Sequence, residues 1–376
     1  MKNFIKQMIM KFLRLIGFKT KRHIVVFESD DWGAIRIPDK QTLITFKHNF
    51  PDLSLNNYQS LDCLETDADI VNLSSTLSSF IDKNGNPACF TINYVTENPN
   101  FEKIKQNNLT EFVGELSTET YQKSLNSKNV ISLLQNGESA KVFNIELHAK
   151  EHINSTQWLN CAKNIDYCKW AFEHYMIGVD SNKYNNLDVY NITNTNIKIE
   201  DNISTACNNF KNIFNKQPQS FVASCYISNK NVESALKRNN INFIQTMHTP
   251  SVCKRNAKLK PRLVFMGQRS KYNQIYTTRN VFFETSKDYL LNKTPEEAAL
   301  KAFNEIKSIF KQKSPAVICS HRVNYVSSID NENAKFGNEA LSILLKLLTD
   351  NYNDIEFMSS TQLAHEIAKG KQNGNN

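Results

Sequence analysis

The chain has 376 residues, of which 40% are hydrophobic and 22% charged, and it contains no low-complexity tract. That length and balance exclude a disordered, collagen-like or disulfide-scaffolded chain, and fit two average domains or one α/β barrel with insertions. The formal net charge of +8, expected to be spread along the chain, mildly favours acidic glycans, nucleic acid or anionic lipid. No RNA-binding or helix-turn-helix signature accompanies it, so nucleic acid is not an expected partner.

Residues 1–20 mix apolar side chains (Phe4, Ile5, Met8, Ile9, Phe12, Leu13, Ile16) with Lys2, Lys6, Lys11, Arg14 and Lys19. These cations break up the apolar centre a secretory signal needs and the run of about 20 apolar residues a membrane span needs. The spacing predicts a basic amphipathic helix over residues 1–22, packed on the domain or lying on an anionic membrane surface through residues 1–20. The expected location is cytoplasmic, with at most peripheral contact with the inner membrane. The eight cysteines (Cys63, Cys89, Cys161, Cys168, Cys207, Cys225, Cys253, Cys319) form no CxxC pair. Mostly reduced thiols in a reducing compartment are expected, with no cysteine-type zinc site.

Further along, short β-branched or aromatic runs predict strands at 24–28, 88–94, 141–147, 220–223, 242–245, 280–284, 316–319 and 355–358. Helical patterns fall between them at 157–176, 200–215, 230–239, 295–312 and 337–349. Thr294-Pro-Glu-Glu297 is a helix start, with a capping threonine, proline at the first helical position and acids in the first turn. Asn84-Gly-Asn-Pro87 marks a turn before the second strand. Strands alternating with helices imply an α/β fold, a distorted (β/α) barrel of about seven parallel strands with outer helices. One barrel domain is expected over 23–370, with an elaborated, Asn- and Ser-rich excursion at about 51–140 and a disordered tail at 371–376.

Two strand runs end in chemistry. His23-Ile-Val-Val-Phe-Glu-Ser-Asp-Asp-Trp-Gly33 closes on Asp30 and Asp31, and Val142-Phe-Asn-Ile-Glu-Leu-His-Ala-Lys-Glu-His152 closes on His148 and His152. A later apolar run, 316–319, leads to His321. In α/β barrels, side chains at the C-terminal ends of strands converge on one face, where active sites sit. The i,i+4 spacing of His148 and His152 is read as one helical turn that points both imidazoles at the same place. Paired carboxylates and imidazoles are the materials of a hydrolytic metal site. Taken singly, an Asp-Asp is usually a solvated turn and a histidine after an apolar run a core residue; three such runs together favour function. His174 and His248, without partners at ligand spacing, are read as structural, and Cys319 as core.

These residues carry a resemblance to the polysaccharide deacetylases, metal-dependent carbohydrate esterases that include the chitooligosaccharide deacetylases. The family's Asp-Asp-Gly strand end is matched by Ser29-Asp30-Asp31-Trp32-Gly33, with Trp32 inserted before the glycine. Its His-x-x-x-His motif is matched by His148-Ala-Lys-Glu-His152, and its last motif by Val317-Ile-Cys-Ser-His321. The closing stretch Ile355-Glu-Phe-Met-Ser-Ser-Thr-Gln-Leu363 resembles the family's final strand and helix, so the likeness spans about residues 24–368. The resemblance implies one divalent metal ion, expected to be zinc, held by Asp31, His148 and His152. It implies Asp30 as general base towards a metal-bound water and His321 as general acid, removing an acetyl group from an acetylated amino sugar or glycan.

The chain differs from the family in its middle motif, where an arginine and Pro-Tyr are replaced by Pro218-Gln-Ser-Phe-Val-Ala-Ser-Cys-Tyr226. The interval from Asp31 to His148 is also longer. Tyr226 is a candidate backbone donor to the reacting carbonyl, and Arg279 or Arg322 a candidate replacement for the missing cation. Trp32 and Tyr325 are candidate stacking surfaces for a sugar ring. Two further readings stand beside the deacetylase: a non-catalytic glycan-binding or scaffold relative, and a glycoside hydrolase pairing Asp30 with Glu146 or Glu284. Oligomeric state is not legible.

Overall fold

The computed structural model describes residues 2–177, 179–181, 199–253 and 258–372. Its centre is β1, His23–Trp32, whose residues are buried from Ile24 onward. Burial on both faces explains why β1 begins as a continuous apolar run without polar alternation. The other strands of the main sheet are β2 (Phe90–Val95), β3 (Phe143–Ala149), β4 (Ser220–Val222), β5 (Phe243–Met247), β6 (Ile275–Arg279), β7 (Val281–Phe282), β8 (Ala316–His321) and β9 (Ile355–Met358).

Neighbours run β6-β5-β4-β3-β2-β1-β8-β7, all parallel, with β9 beside the first half of β1. Only Asn280 separates β6 from β7, yet β6 pairs with β5 at one end of this order and β7 with β8 at the other. One bent stretch of chain thereby draws the two ends of the sheet together into a nearly closed α/β barrel. Asn280 stitches the seam. Its N–H donates to Val317 O at 2.9 Å, its side-chain amide donates to Pro315 O at 2.9 Å, and its side-chain oxygen accepts from Val317 N–H at 2.9 Å.

The strand expected at 280–284 therefore starts five residues earlier, at Ile275, and breaks at Asn280. Tyr276-Thr-Thr-Arg279 has no continuous apolar run, because part of this strand faces a polar interior. The helix expected at 157–176 is two helices separated at Ile165, and the one expected at 1–22 ends at Ile16; the remaining strand and helix expectations are met within a few residues. The helix expected at 337–349 begins earlier, at Asn331, capped by Asp330. Pro295–Lys311 starts with the capping box read from Thr294 and Glu297. The last helix runs to Gln372, and residues 373–376 of the expected tail lie outside the described residues. Cys161 and Cys168, on the successive helices Ser155–Asn164 and Asp166–Glu173, form a disulfide, whereas the other six cysteines form none.

Side-chain parity along β1 divides the barrel into layers. Val25 and Phe27 pack outward into the large core beneath the surrounding helices. Ile24 and Val26 turn inward at the lower end, meeting Phe243, Ile275, Val317, Leu363 and Ile367 in an apolar plug closed by the last helix, Ser360–Gln372. One and two pleats higher, the same face presents Glu28 and Asp30. Apolar floor and polar mouth follow from one alternating strand.

The entrance to β1 is held by charge. Arg22 Nε donates to Glu356 Oε1 at 2.8 Å and its Nη2 to Glu356 Oε2, while Nη1 reaches Glu366 at 2.6 Å. These contacts tie β1, β9 and the last helix together. The hydrogen bond from Arg22, helped by Lys83, outweighs burial and holds the Glu356 carboxyl at about 2, below its ordinary 4.5. A depressed carboxyl contributes stability that is complete above about pH 4.5 and lost as pH falls through about 2. Because Arg22 is 41% exposed, solvent screening reduces the contribution to about 1–2 kcal/mol. Glu356→Gln is expected to lose that amount in urea unfolding at pH 7, with the gap to wild type closing as pH approaches 2. An equal gap at both pH values contradicts the assignment.

Candidate metal centre and active site

The register of β1 with β8 places Asp30 directly opposite His321. Between Ser29 and Trp32 the pairing of β1 with β2 shifts, and Asp31 adopts φ = 75° there. That left-handed conformation is uncommon for a residue with a Cβ, and such outliers cluster at functional sites. The shift re-aims Asp31, which would otherwise point to the opposite face from Asp30. Gly33 follows at φ = 85°, and a Cβ there would lie 2.5 Å from Val95 O and 2.8 Å from the Tyr94 ring. Here the glycine of the motif has a steric reason.

Asp31 Oδ1 receives two imidazoles. His148 Nε2 lies 3.3 Å away and His152 Nε2 3.2 Å away. His148 Nδ1 donates to Val222 O at 2.9 Å, so Nε2 is the nitrogen turned towards Asp31. His152 reaches the cluster from a bend after β3 and not from a helix, which corrects the one-turn reading of the spacing.

Among the described residues, Asp31, His148 and His152 form one group whose donor atoms lie within 4.8 Å of one another. The donor set fits a cation. Ligand distances of about 2.0–2.2 Å around a tetrahedral centre require donors roughly 3.3 Å apart. The two N···O separations, 3.3 and 3.2 Å, have that spacing. Burial would raise the Asp31 carboxyl, but His152, His148 and Arg36 hold it well below the usual carboxylate range. It is therefore a ready anionic donor.

Asp30 is held differently. Arg279 donates Nη1 to Oδ2 and Nη2 to Oδ1, both at 2.7 Å, and Asn93 adds a bond to Oδ1 at 2.8 Å. The same guanidinium sends Nε to Glu28 Oε2 at 2.6 Å. Burial pushes the Asp30 carboxyl up, but Arg279 and His148 outweigh it and hold it at about 2. Glu28 is raised, because burial dominates the pull of Arg279. Arg279 thus occupies the place in the site proposed for the cation missing from the middle motif. Arg322 does not: it is buried away from Asp30, forked onto Asp62 and bonded to Glu65 and Ala34 O.

His321 Nδ1 pairs with Glu284 Oε1 at 2.6 Å, the Tyr58 hydroxyl lies 3.1 Å from the same nitrogen, and Nε2 sits 3.7 Å from Asp30 Oδ2. Burial lowers the imidazole, but Glu284 reverses this and leaves it well above its ordinary value. Glu284, Cys319 and His321 form a second donor group.

Several expectations are corrected. Trp32 is fully buried, with its Nε1–H donating to Ser29 Oγ at 2.9 Å, and Tyr325 is fully buried against Ser320. Neither offers a face to a sugar. Tyr226 does reach the site, but its hydroxyl accepts from Arg279 at 2.8 Å and its backbone N–H is spent on Ala223 O at 2.8 Å, so it is not an available carbonyl donor. Cys319 belongs to the site, 3.2 Å from the Tyr226 hydroxyl and 3.4 Å from Arg279, because residues two apart on a strand share a face. Glu146 spends Oε2 on the N–H groups of Gln219 and Ser220 and serves the fold. His248 bonds Val264 O, and His174 stacks on Trp170.

Glu28, Arg36, Tyr58 and Asn93 were not singled out in the sequence. Glu28 shares β1's inner face with Asp30 and was discoverable by parity. Arg36 comes from a loop, Tyr58 from the short helix Asn57–Leu61 and Asn93 from β2, none of them within a motif. A cavity of about 360 Å³ is lined by residues that include Tyr226, Ile244, Gln245, Val264 and Tyr276. Its lining contains neither Asp31 nor the imidazoles.

No protein-family model matches the chain, and no curated protein matches it in sequence. Solved structures that resemble it include a protein described as a polysaccharide deacetylase from Mycobacterium smegmatis, at 10% identity and TM-score 0.43, covering 95% of this chain and 94% of that one. Another, described as a polysaccharide deacetylase from Pseudomonas aeruginosa, has 6% identity and TM-score 0.45, covering 92% and 91%. An α-amylase from Thermotoga maritima has 9% identity and TM-score 0.45, covering 91% of this chain and 74% of that one. Similarities this distant carry no argument about chemistry.

Removing the central cation leaves Glu28 and Asp30 as unneutralised neighbours in the interior. Breaking a buried ion pair from one side costs about 3–5 kcal/mol. Arg279→Met is expected to lose that much in urea unfolding at pH 7, and adding Glu28→Gln to restore part of it. Simple additivity of the two substitutions contradicts the assigned coupling.

Proposed function

We propose that the chain is a metal-dependent hydrolase that removes an acetyl group from an acetylated amino sugar or glycan. The observation that carries this reading is the convergence of His148 Nε2 and His152 Nε2 on one oxygen of Asp31, at 3.3 and 3.2 Å. The Asp-Asp-Trp-Gly, His-x-x-x-His and terminal-histidine motifs support acetylated carbohydrate as the substrate class.

In this reading Asp31, His148 and His152 hold the ion, zinc being the best match to two imidazoles and one carboxylate. A divalent cation supplies, when bound, a Lewis acid that polarises a carbonyl and acidifies a water molecule. Asp30, ionised at neutral pH, accepts the proton of the attacking water. Arg279 fixes the plane of that carboxylate, so Oδ2 stays turned towards the mouth and His321. Glu284, accepting from Nδ1–H, favours the imidazolium, so His321 carries a second proton on Nε2 and gives it to the departing amine. Tyr58 and Glu284 keep the imidazole from rotating away.

A second reading, a glycan-binding relative without turnover, is favoured by one observation. The Tyr226 N–H is already bonded to Ala223 O and unavailable to a developing oxyanion. Metal analysis and turnover separate the two. About one equivalent of tightly held metal is expected, lost in His148→Ala with the fold intact. Acetate release from acetylated amino sugars is expected to fall about 10²–10⁴-fold in Asp30→Asn and in His321→Ala, with metal retained. Metal retention with no acetate from any such substrate supports the non-catalytic reading. Glycosidic cleavage in the presence of chelator supports a carboxylate pair of Asp30 and Glu284 instead.

A further inference from the structure

The positive charge is not spread along the chain as its composition suggested. Residues 1–22 hold seven of the 45 Lys and Arg residues and none of the 37 Asp and Glu, leaving 38 cations against 37 acids in the other 354 positions. The excess of +8 is almost wholly a property of the amphipathic helix Lys2–Ile16 and the segment joining it to β1.

Between Met8 and Ile16 the helix buries Leu13, half-buries Ile9, Met10 and Arg14, and leaves the rest exposed. Leu13 is buried, Gly17 packs against the backbone of Met266, and the N–H groups of Phe18 and Thr20 donate to Met266 O and Lys313 O at 2.8 and 2.9 Å. Met8, Phe12 and Leu15 are each 58% exposed and Ile16 is 45% exposed. Positions 8, 12, 15 and 16 share one side of a helix. Isolated exposed apolar residues are ordinary, but an apolar stripe turned to water along an amphipathic helix is not. Lys11, also exposed, lies beside it.

We infer that this face binds an anionic lipid surface, lying in the plane of the headgroups with Met8, Phe12, Leu15 and Ile16 towards the acyl boundary. Complementarity of charge selects this occupant. A second copy of the chain would set one acid-free cationic helix against another, a like-charge contact. No helix among the described residues is long and apolar enough to cross a membrane. Anionic lipid matches both components, since apolar burial and cation attraction add on such a surface, each cation being worth roughly fivefold in partitioning. The inference is independent of the hydrolase reading.

The test is co-sedimentation of the full chain with phosphatidylglycerol-containing vesicles and with pure phosphatidylcholine vesicles. Binding to the anionic vesicles is expected to exceed binding to the neutral ones by about tenfold or more. It is expected to weaken from about 0.1 M to about 1 M salt, as the Debye length falls from about 10 Å to 3 Å. Phe12→Glu combined with Leu15→Glu, both at exposed positions, is expected to reduce it at least about tenfold with unchanged thermal unfolding. Lys11→Glu is expected to reduce it by a smaller factor. Equal sedimentation of wild type and the double variant overturns the proposal. So does a wild-type dimer that the double variant dissolves while neither binds vesicles, which identifies a self-interface.

Discussion

A single guanidinium, that of Arg279, makes the polar half of this barrel possible. Glu28 and Asp30 stand two residues apart on the inner face of β1, both screened from solvent. Two carboxylates in that position would share a proton or repel each other apart. Arg279, at the end of β6, forks onto both. The contact joins strands that are not neighbours in the sheet and keeps Asp30 ionised. Its geometry is bidentate at Asp30, so it also sets the carboxylate plane, which a lysine could not do. Tyr226 and Cys319 then pack against the same cation. Interior electrostatics, strand-to-strand tethering and orientation of the proposed base rest on one side chain.

Around that centre, backbone geometry aims the remaining groups. Asp30 and His321 sit opposite each other in a hydrogen-bonded ladder, so their separation is a property of the sheet. Asp31 reaches a different partner set only because its backbone leaves the β region, at φ = 75°, where the pairing with β2 slips. Two adjacent aspartates, which regular pleating would send to opposite faces, thereby serve one mouth. Gly33 permits the return of the chain past Val95.

The strand ends carrying Asp30, Asp31, His148 and His321 were legible because each follows an apolar run of β-branched and aromatic residues. Barrel class was legible from the alternation of such runs with capped helices. Arg279 was nameable as a cation but not placeable, because β6 carries Thr277 and Thr278 and hides as a polar stretch. The expected strand was therefore drawn after the seam residue Asn280 and not before it. Trp32 and Tyr325 stood close to the motifs in sequence, yet proximity in sequence says nothing about which face a ring occupies. Both serve the core. Tyr58 could not have been found at all: it arrives from the 51–140 excursion, about 260 residues before its partner His321, and long-range pairing leaves no local pattern.

The apolar plug beneath Glu28 has a consequence for traffic. Ile24, Val26, Val317, Leu363 and Ile367 seal the lower end, so the barrel is a cul-de-sac and not a conduit. A ligand reaching Asp31 and His321 would have to leave by the way it came. In a hydrolase, entry and exit would therefore share one rim, to which the short helix Asn57–Leu61 brings Tyr58.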